Sequence, residues 1–251
     1  MAVQWIISDV DGCISPEESV AWDLEAFAAL AKRTREASAG KGTLAPMTLC
    51  TGRPQPYVEV LMKLLDVRAP SICENGAVLY TLHDNRSWYG PGVTEEKILG
   101  LRAVRAFIET TILPETPDVV LQFGKEAQMS LFSQKPELFA VIQPQIEAFV
   151  ADYDSLELLI NASHYYLNIS LAGVDKGSTV DALLADLGVG PSEVAGIGDT
   201  EGDLPLRERV GFFACPANAR PEIQAVSDYV SPYPDIRGVL DILDRPEVQR
   251  A

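Results

Sequence analysis

The feature that most constrains this chain is an apolar segment near its start, residues 3–7, which leads into Asp9 and Asp11. Such a segment is typical of a strand buried on both faces in the middle of a parallel sheet. The two acids then follow the carboxyl end of that strand, where open α/β sheets bind ligands, and Gly12 lets the backbone turn. Two like charges this close need a counterion, and Mg²⁺ is a hard cation that prefers carboxylate oxygen. The alternative is an Asp-x-Asp turn that only caps a strand, and the segment alone leaves both open.

Composition and charge narrow the class of protein. The 251 residues are 47% apolar, enough for one large domain or two modest ones. A net charge of −16 argues against nucleic acid or an anionic membrane as partners, because phosphate groups are bound by clustered Lys and Arg. We find no membrane-spanning run and no signal segment, so we expect a cytoplasmic protein. As its oligomeric state we expect a monomer or a homodimer. The four scattered cysteines indicate buried thiols rather than disulfides.

Strands and helices alternate in both terminal parts of the chain, and this predicts an α/β fold, a core domain with a parallel sheet. The residues that follow the predicted strands are punctuated by Gly and Pro, as expected for strand-to-helix turns. The predicted strands are residues 3–7, 44–50, 210–215 and 228–230, together with a strand–turn–strand hairpin over 71–80 whose turn is at 75–76 and a strand from 194 that ends in the acids up to 203. The predicted helices have a start signal at 16–19, an apolar face at Val58, Leu61, Met62 and Leu65, a start at 175–177, and a closing helix around 239–243.

The middle of the chain has a different pattern. From about residue 82 to residue 171 the order is helix, two strands, helix, two strands, which is typical of an α+β domain with helices on one face of a small sheet. We therefore predict a core formed by residues 1–81 and 172–251 and an inserted cap domain formed by residues 82–171. The predicted cap elements are helices at 95–111 and 138–153 and strands at 119–123, 127–132, 156–160 and 165–171.

Several polar side chains share one location in the predicted core sheet. Each lies just after a strand or at the start of the following helix. Because the carboxyl ends of parallel strands face one crevice, these residues would meet there despite their distance in sequence. Taken singly, each is an ordinary turn or helix-cap residue, and it is their coincidence that favours a site. The residues are Asp9, Asp11, Thr51, Lys176, Asp199 and Asp203.

These residues lie in four short motifs, DVDG at 9–12, CTGR at 50–53, DKG at 175–177 and GDTEGD at 198–203. In these motifs the chain resembles the phosphatases of the haloacid dehalogenase superfamily, in the Cof-type branch whose Rossmann-like core carries an inserted C2-type cap. The resemblance covers both halves of the core, and in the cap it extends only to the order of elements. The family usually has Asn before the last acid of its fourth motif, where this chain has Gly202. ENGA at 74–77 and the segment 216–230 also resemble this branch.

The resemblance implies a phosphatase that hydrolyses a small phosphate monoester: a sugar phosphate, a phosphorylated sugar acid or phosphoglycolate. Asp9 would attack phosphorus and form an aspartyl phosphate, and Asp11 would serve as general acid and then general base. The cofactor would be Mg²⁺, with the backbone carbonyl of Asp11 among its ligands. The implied metal residues are Asp9, Asp11, Asp199 and Asp203, and the implied phosphate-binding residues are Thr51, Gly52, Arg53 and Lys176.

Other functions remain open at this point. A sugar phosphomutase would use the same aspartyl phosphate but return the phosphate to a second hydroxyl, so it would need a bisphosphate activator and release little inorganic phosphate. A signalling domain that accepts phosphate also places acids around Mg²⁺, but it would not need a cap of this size. A non-catalytic binding protein on the same fold is the remaining alternative, since fold does not determine function.

Two predicted turns of the cap are candidate substrate contacts. On a chain this acidic, Lys125 in the turn 124–126 would attract an anionic substrate and pair with its carboxylate or second phosphate. Glu126, together with Ser163 and His164 in the turn 161–164, would bind sugar hydroxyls. For each turn the alternative is an ordinary solvated hairpin turn, because Gly, Asn and Ser are common turn formers.

Overall fold

The computed structural model describes residues 3–17, 20–153, 156–163 and 165–250. These residues form two compact units: one comprises the chain up to Trp88 and from Asp175 onward, the other Tyr89–Val174. The sequence places the corresponding boundaries after residues 81 and 171. That the second unit is a cap domain in the functional sense stays a prediction.

The first part of the core unit alternates strands and helices before ending in a separate sheet of three strands. Helix α1 begins later than predicted, because the carboxylate of Asp23 accepts a hydrogen bond from the Ala26 N–H at 3.0 Å and caps the helix there. Pro46, which has no N–H to donate, precedes the second strand and shortens it. The elements are β1 (Trp5–Ser8), α1 (Leu24–Ser38), β2 (Met47–Leu49), α2 (Gln55–Leu65), β3 (Ser71–Cys73), β4 (Val78–Thr81) and β5 (Arg86–Tyr89).

The second unit follows the predicted order of helix, two strands, helix, two strands. Its strands form an antiparallel sheet, and along β9 buried apolar residues alternate with half-buried residues. Helix α3 continues into a π-helical turn, Ile108–Ile112. The elements are α3 (Glu95–Phe107), β6 (Val120–Leu121), β7 (Gln128–Phe132), α4 (Phe139–Val150), β8 (Leu158–Ser163) and β9 (Tyr166–Leu171), with the sheet order β6-β7-β9-β8.

One predicted turn in this unit is wrong. Residues 161–163 are the end of strand β8, and Asn161 pairs with Asn168 of β9 rather than standing in a loop. His164 and the side chain of Ser163 lie outside the described residues.

The chain then returns to the core unit and completes its sheet. β1 pairs in parallel with β10 and with β2, and Ser8 is level with both Ile197 and Leu49. The five-stranded order is β12-β11-β10-β1-β2, which confirms the predicted α/β class and parallel sheet. The remaining elements are α5 (Lys176–Leu187), β10 (Val194–Ile197), α6 (Leu204–Arg207), β11 (Phe212–Cys215), α7 (Pro221–Val226), β12 (Tyr229–Val230) and α8 (Asp235–Ile242).

The hairpin β3-β4 lies beside β2. A bridge between Cys50 and Ile72 and a bond from the Thr51 N–H to the Ile72 carbonyl, 2.9 Å long, extend the edge of the parallel sheet. The level strand ends and this extension put the residues after β1, β2 and β10 at one edge of the core. Among the described helices, none has the length and apolar character needed to cross a bilayer.

Candidate active site

Three acids meet at the carboxyl edge of the parallel sheet. Asp9 follows β1 and Asp199 follows β10, while Asp203 lies one helical turn farther along. One carboxylate oxygen from each lies within 4.8 Å of the others, and all three residues are buried. In the part of the chain that the structure describes, this is the one acidic cluster close enough to hold a metal ion.

Lys176, the first residue of α5, lies among these acids. Its ammonium Nζ is 2.6 Å from Asp203 Oδ1 and 3.1 Å from Asp9 Oδ2, and the side chain is only 4% exposed. Burial opposes the charge on Lys176, but attraction to Asp203 and Asp9 outweighs that penalty and holds its pKa well above the usual value. Lys176 is therefore a fixed positive charge beside Asp9.

Two of the acids resist ionisation without a further cation. Burial, followed by the charge of Asp203, raises the pKa of Asp9 to about 7 even though Lys176 lowers it. Burial and the charges of Asp9 and Asp203 raise the pKa of Asp199 to about 8. A divalent cation would offset both effects, and carboxylate oxygen is the ligand type that Mg²⁺ prefers. The donor set at this edge therefore fits the predicted metal.

Asp203 has both carboxylate oxygens bonded within the protein. Oδ1 accepts from Lys176, and Oδ2 accepts from the N–H groups of Asp199 at 3.0 Å and Thr200 at 3.1 Å. These bonds fix the loop that carries Asp199 as well as the ammonium of Lys176. Asp203 is thus built to orient its neighbours, whether or not it also touches the metal.

Asp11 stands apart from the buried cluster. Its carboxylate is 30% exposed, and Arg53 donates to it from Nε, 2.8 Å from Oδ2, and from Nη2, 2.6 Å from Oδ1. The ring of Tyr57 lies 5.0 Å from the guanidinium carbon of Arg53. The structure thus separates the Asp11 carboxylate from the three clustered acids, and the predicted metal contact through its backbone carbonyl stays a prediction.

The turn after β2 brings two more predicted residues to the same edge. Thr51 is fully buried, and its hydroxyl accepts a bond from the Arg53 N–H at 3.1 Å. At Gly52 a Cβ atom would lie 2.9 Å from Oδ1 of Asn75, so any other residue there would have to displace the Asn75 amide of the ENGA turn. Their contact with a phosphate remains a prediction.

Asn218 lies at this edge and was not singled out from the sequence, although it belongs to the segment 216–230 that supports the resemblance. Its amide Nδ2 donates to the Gly12 carbonyl at 2.8 Å, and its Oδ1 accepts from the Asp235 N–H at 2.7 Å. It therefore ties the DVDG turn to the start of α8. The available signal was position: Asn218 follows the carboxyl end of β11, as Asp199 follows β10.

Gly202, where the resembled family usually has Asn, does not need to be glycine for packing. The residue is exposed, and a Cβ atom there would meet the Thr200 hydroxyl at an ordinary 3.5 Å. The Asp203 contacts described above form without a side chain at position 202.

The predicted substrate residues that the structure describes in the second unit are both hydrogen-bonded. Lys125 Nζ donates to the Ser130 hydroxyl at 2.9 Å. Glu126 accepts from Arg102 and, at 3.4 Å, from the Tyr89 hydroxyl. These contacts all lie within that unit.

Comparisons with known proteins agree with this geometry. A family model described as haloacid dehalogenase-like hydrolase matches residues 114–243. The phosphoglycolate phosphatase of Methanospirillum hungatei is 26% identical over 243 residues, which covers 95% of this chain and 94% of that protein. That of Methanothermobacter thermautotrophicus is 25% identical, covering 96% of this chain and 97% of that protein.

Solved structures share the fold. Thermoplasma acidophilum 0175 superposes with a TM-score of 0.72 at 23% identity, covering 96% of this chain and 97% of that one. A haloacid dehalogenase-like hydrolase from Bacteroides thetaiotaomicron has a TM-score of 0.71 at 15% identity, with 97% and 99% covered. The likeness extends over both units of the chain.

Proposed function

This chain belongs to the haloacid dehalogenase-like hydrolase family and is a phosphatase, and we propose that it hydrolyses a small phosphate monoester through a phosphorylated Asp9 with Mg²⁺ as its cofactor. The observation that carries the proposal is the buried contact of Asp9 with Lys176 beside Asp199. A nucleophilic carboxylate, a fixed cation and a second acid at one strand edge are what transfer of a phosphoryl group requires.

Asp9 is held in one orientation for attack. Its Oδ1 accepts from the Val10 N–H at 2.7 Å, and its Oδ2 faces Lys176. Asp9 and Asp199, with Asp203 behind them, are the residues that would hold the metal. When bound, Mg²⁺ supplies countercharge to the buried carboxylates and to the phosphoryl oxygens. Lys176 lowers the pKa of Asp9 and so, together with the metal, favours its ionised, nucleophilic form.

The reaction then has two steps, formation and hydrolysis of the phosphorylated Asp9. An Asp9 oxygen bonds to phosphorus as the ester P–O bond breaks, and Asp11 gives its proton to the departing alkoxide. Asp11 next takes a proton from water as the water oxygen attacks phosphorus, which releases inorganic phosphate and restores Asp9. Thr51 and Gly52, at the same edge, would bind the phosphoryl oxygens, and Arg53, which donates to both carboxylate oxygens of Asp11, would orient that residue.

The substrate is a small molecule, and phosphoglycolate is the first ester to test. The relatives that align over almost the whole chain carry the name phosphoglycolate phosphatase. Sugar phosphates and phosphorylated sugar acids complete the proposed class.

The test is release of inorganic phosphate from a panel of esters, with Mg²⁺ and with a chelator. We expect turnover of at least one panel ester that requires Mg²⁺, and loss of that turnover in Asp9→Asn. Asp186→Asn, which changes an exposed acid of α5, is the matched control and should keep wild-type rates. Steady-state turnover by Asp9→Asn well above the blank would remove Asp9 as the nucleophile. Transfer of phosphate to a second hydroxyl with little release would favour the phosphomutase alternative.

A further inference from the structure

A charged cavity of about 230 Å³ lies within the second unit, between α3 and the turn that precedes β7. Its polar lining is Arg102, Arg105, Lys125, Glu126 and Gln128. All of these residues belong to the unit Tyr89–Val174, so the cavity is built without any residue of the core.

The clustering of positive charge at this cavity is unusual for its surroundings. Residues 89–174 contain five Lys and Arg against eleven Asp and Glu, and three of those five cations line the cavity. Cations that line one cavity repel one another, and a bound anion would relieve that repulsion.

The positions of these cations are fixed by neighbouring side chains. Lys125 Nζ donates to the hydroxyl of Ser130, which is 1% exposed and donates in turn to Asn168 Oδ1 at 2.7 Å. Arg105 Nε lies 3.1 Å from Glu109 Oε1. A cation whose orientation is set in advance loses little entropy when it binds an anion.

Glu126 places a carboxylate of the protein at this cavity. Its carboxylate, at the cavity wall, pairs with Arg102 and accepts from the Tyr89 hydroxyl. The Glu126 carboxylate thus neutralises part of the positive charge at the cavity. Because Arg102 is 60% exposed, an oxyanion from solution can reach it and compete with Glu126.

We propose that this cavity is a binding site for the oxyanion of a small molecule, either carboxylate or phosphate, with Arg102, Arg105 and Lys125 as its cations. Two sources have this chemistry. One is the carboxylate of the substrate itself, a case that rests on the function proposed above. The other is a free anion, such as the inorganic phosphate that the reaction releases.

The binding test does not depend on turnover. Backbone amide resonances of residues 124–129 are followed by NMR while the full-length protein is titrated with inorganic phosphate and, separately, with glycolate. We expect saturable shifts, weakened about tenfold in Arg102→Ala, which loses a charge-assisted contact. Lys135→Ala is the matched control, since Lys135 is an exposed, paired cation of the same unit outside the cavity, and it should bind as the wild type does.

A variant that should strengthen anion binding complements Arg102→Ala. Glu126→Gln removes the competing carboxylate while keeping its shape, so anion binding should tighten by several fold. No saturable shift in the wild type, or equal affinity in wild type, Arg102→Ala and Glu126→Gln, would overturn the proposal. Circular dichroism and thermal melting of each variant establish that it is folded.

Kinetics separate the two sources. If the substrate supplies the oxyanion, Arg102→Ala raises KM for phosphoglycolate about tenfold and leaves KM for p-nitrophenyl phosphate unchanged. If a free anion binds, Arg102→Ala weakens phosphate binding in the NMR titration and leaves both KM values unchanged. Hydrolysis of p-nitrophenyl phosphate by the wild type reports on the core alone, so failure of the core chemistry is distinguishable from failure of this site.

Discussion

Arg53 contacts both carboxylate oxygens of Asp11, with Nε 2.8 Å from Oδ2 and Nη2 2.6 Å from Oδ1. The two side chains are 42% and 30% exposed, so the pair contributes little to the stability of the fold. What the fork of the guanidinium provides is direction, because it fixes the plane of the carboxylate. This orientation matters if Asp11 is the residue that exchanges a proton with the leaving oxygen.

We therefore expect Arg53→Lys to impair departure of the leaving group. Lysine keeps the positive charge but lacks the planar fork, so Asp11 loses its fixed orientation. The kcat for an alkyl phosphate should fall about tenfold or more, while p-nitrophenyl phosphate, whose leaving group needs little protonation, should be affected much less. Steady-state kinetics on the two esters measures this difference.

Arg68→Lys is the control for that experiment, because Arg68 pairs with Asp66 at 2.9 Å on the exposed surface. It should leave both rates unchanged. An equal loss on both esters in Arg53→Lys would assign Arg53 to binding of the phosphoryl group rather than to orientation of Asp11.

The buried ammonium of Lys176 leads to a prediction about stability. Lys176→Met leaves the buried carboxylates of Asp9 and Asp203 without their cation, and breaking a buried ion pair in this way costs about 3 to 5 kcal/mol. Urea denaturation of the metal-free protein at pH 7.5 should show a loss of this size relative to the wild type.

A second substitution should recover part of that loss. In Lys176→Met with Asp203→Asn, the remaining amide carries no charge, so the double variant should be more stable than Lys176→Met alone. If the double variant is the less stable of the two, the bonds from Asp203 to the Asp199 and Thr200 N–H groups outweigh the charge.

The raised pKa values of Asp9 and Asp199 predict how stability depends on pH in the absence of metal. Both groups have an ordinary pKa of 3.8, and the fold raises these to about 7 and about 8. Between those limits the folded state binds more protons than the unfolded state, so their contribution to the free energy of unfolding falls as pH rises from about 4 to about 8. Asp199→Asn removes one of the two groups, so it should show a shallower fall than the wild type.

Mg²⁺ should change that dependence. Because the cation displaces protons from these carboxylates, it should raise the melting temperature more at pH 8 than at pH 5. Melting curves with Mg²⁺ and with EDTA at both pH values measure the effect. An equal increase at both values would mean that the cation binds away from Asp9 and Asp199.

The sequence predicted which residues meet at the carboxyl edge of the sheet, because one geometric rule controls their positions. Parallel strands end level with one another, so residues that follow β1 and β10 must be neighbours, as Asp9 and Asp199 are. The family, the α/β class and the enzyme class were predicted from these motifs and are confirmed. The roles of the individual site residues stay predictions.

What the sequence could not supply are contacts set by side-chain direction and tertiary packing. No spacing signals that Arg53 turns to Asp11, or that Arg102 of α3 meets Glu126. The turn expected at 161–164 was wrong because polar residues are also compatible with an antiparallel strand, where Asn161 lies opposite Asn168.

Gly12 offers the most direct test of the link between backbone shape and the acidic cluster. Its φ is +71°, and a Cβ atom there would lie 2.1 Å from Asp199 Oδ2, which is far inside contact distance. Gly40 has nearly the same φ, +72°, but a Cβ atom there would meet nothing within 4 Å. Alanine at either position pays the left-handed strain of about 1 kcal/mol, so the pair separates strain from collision.

We expect Gly40→Ala to lose about 1 kcal/mol of stability and to keep its activity and its Mg²⁺ dependence. Gly12→Ala should lose more stability and should also need about tenfold or more Mg²⁺ for half-maximal activity, because the Asp199 carboxylate has to move out of the cluster. Urea denaturation and Mg²⁺ titrations of p-nitrophenyl phosphate hydrolysis measure the two effects. If Gly12→Ala matches Gly40→Ala in its Mg²⁺ requirement, the position of the Asp199 carboxylate beside Gly12 does not control metal binding.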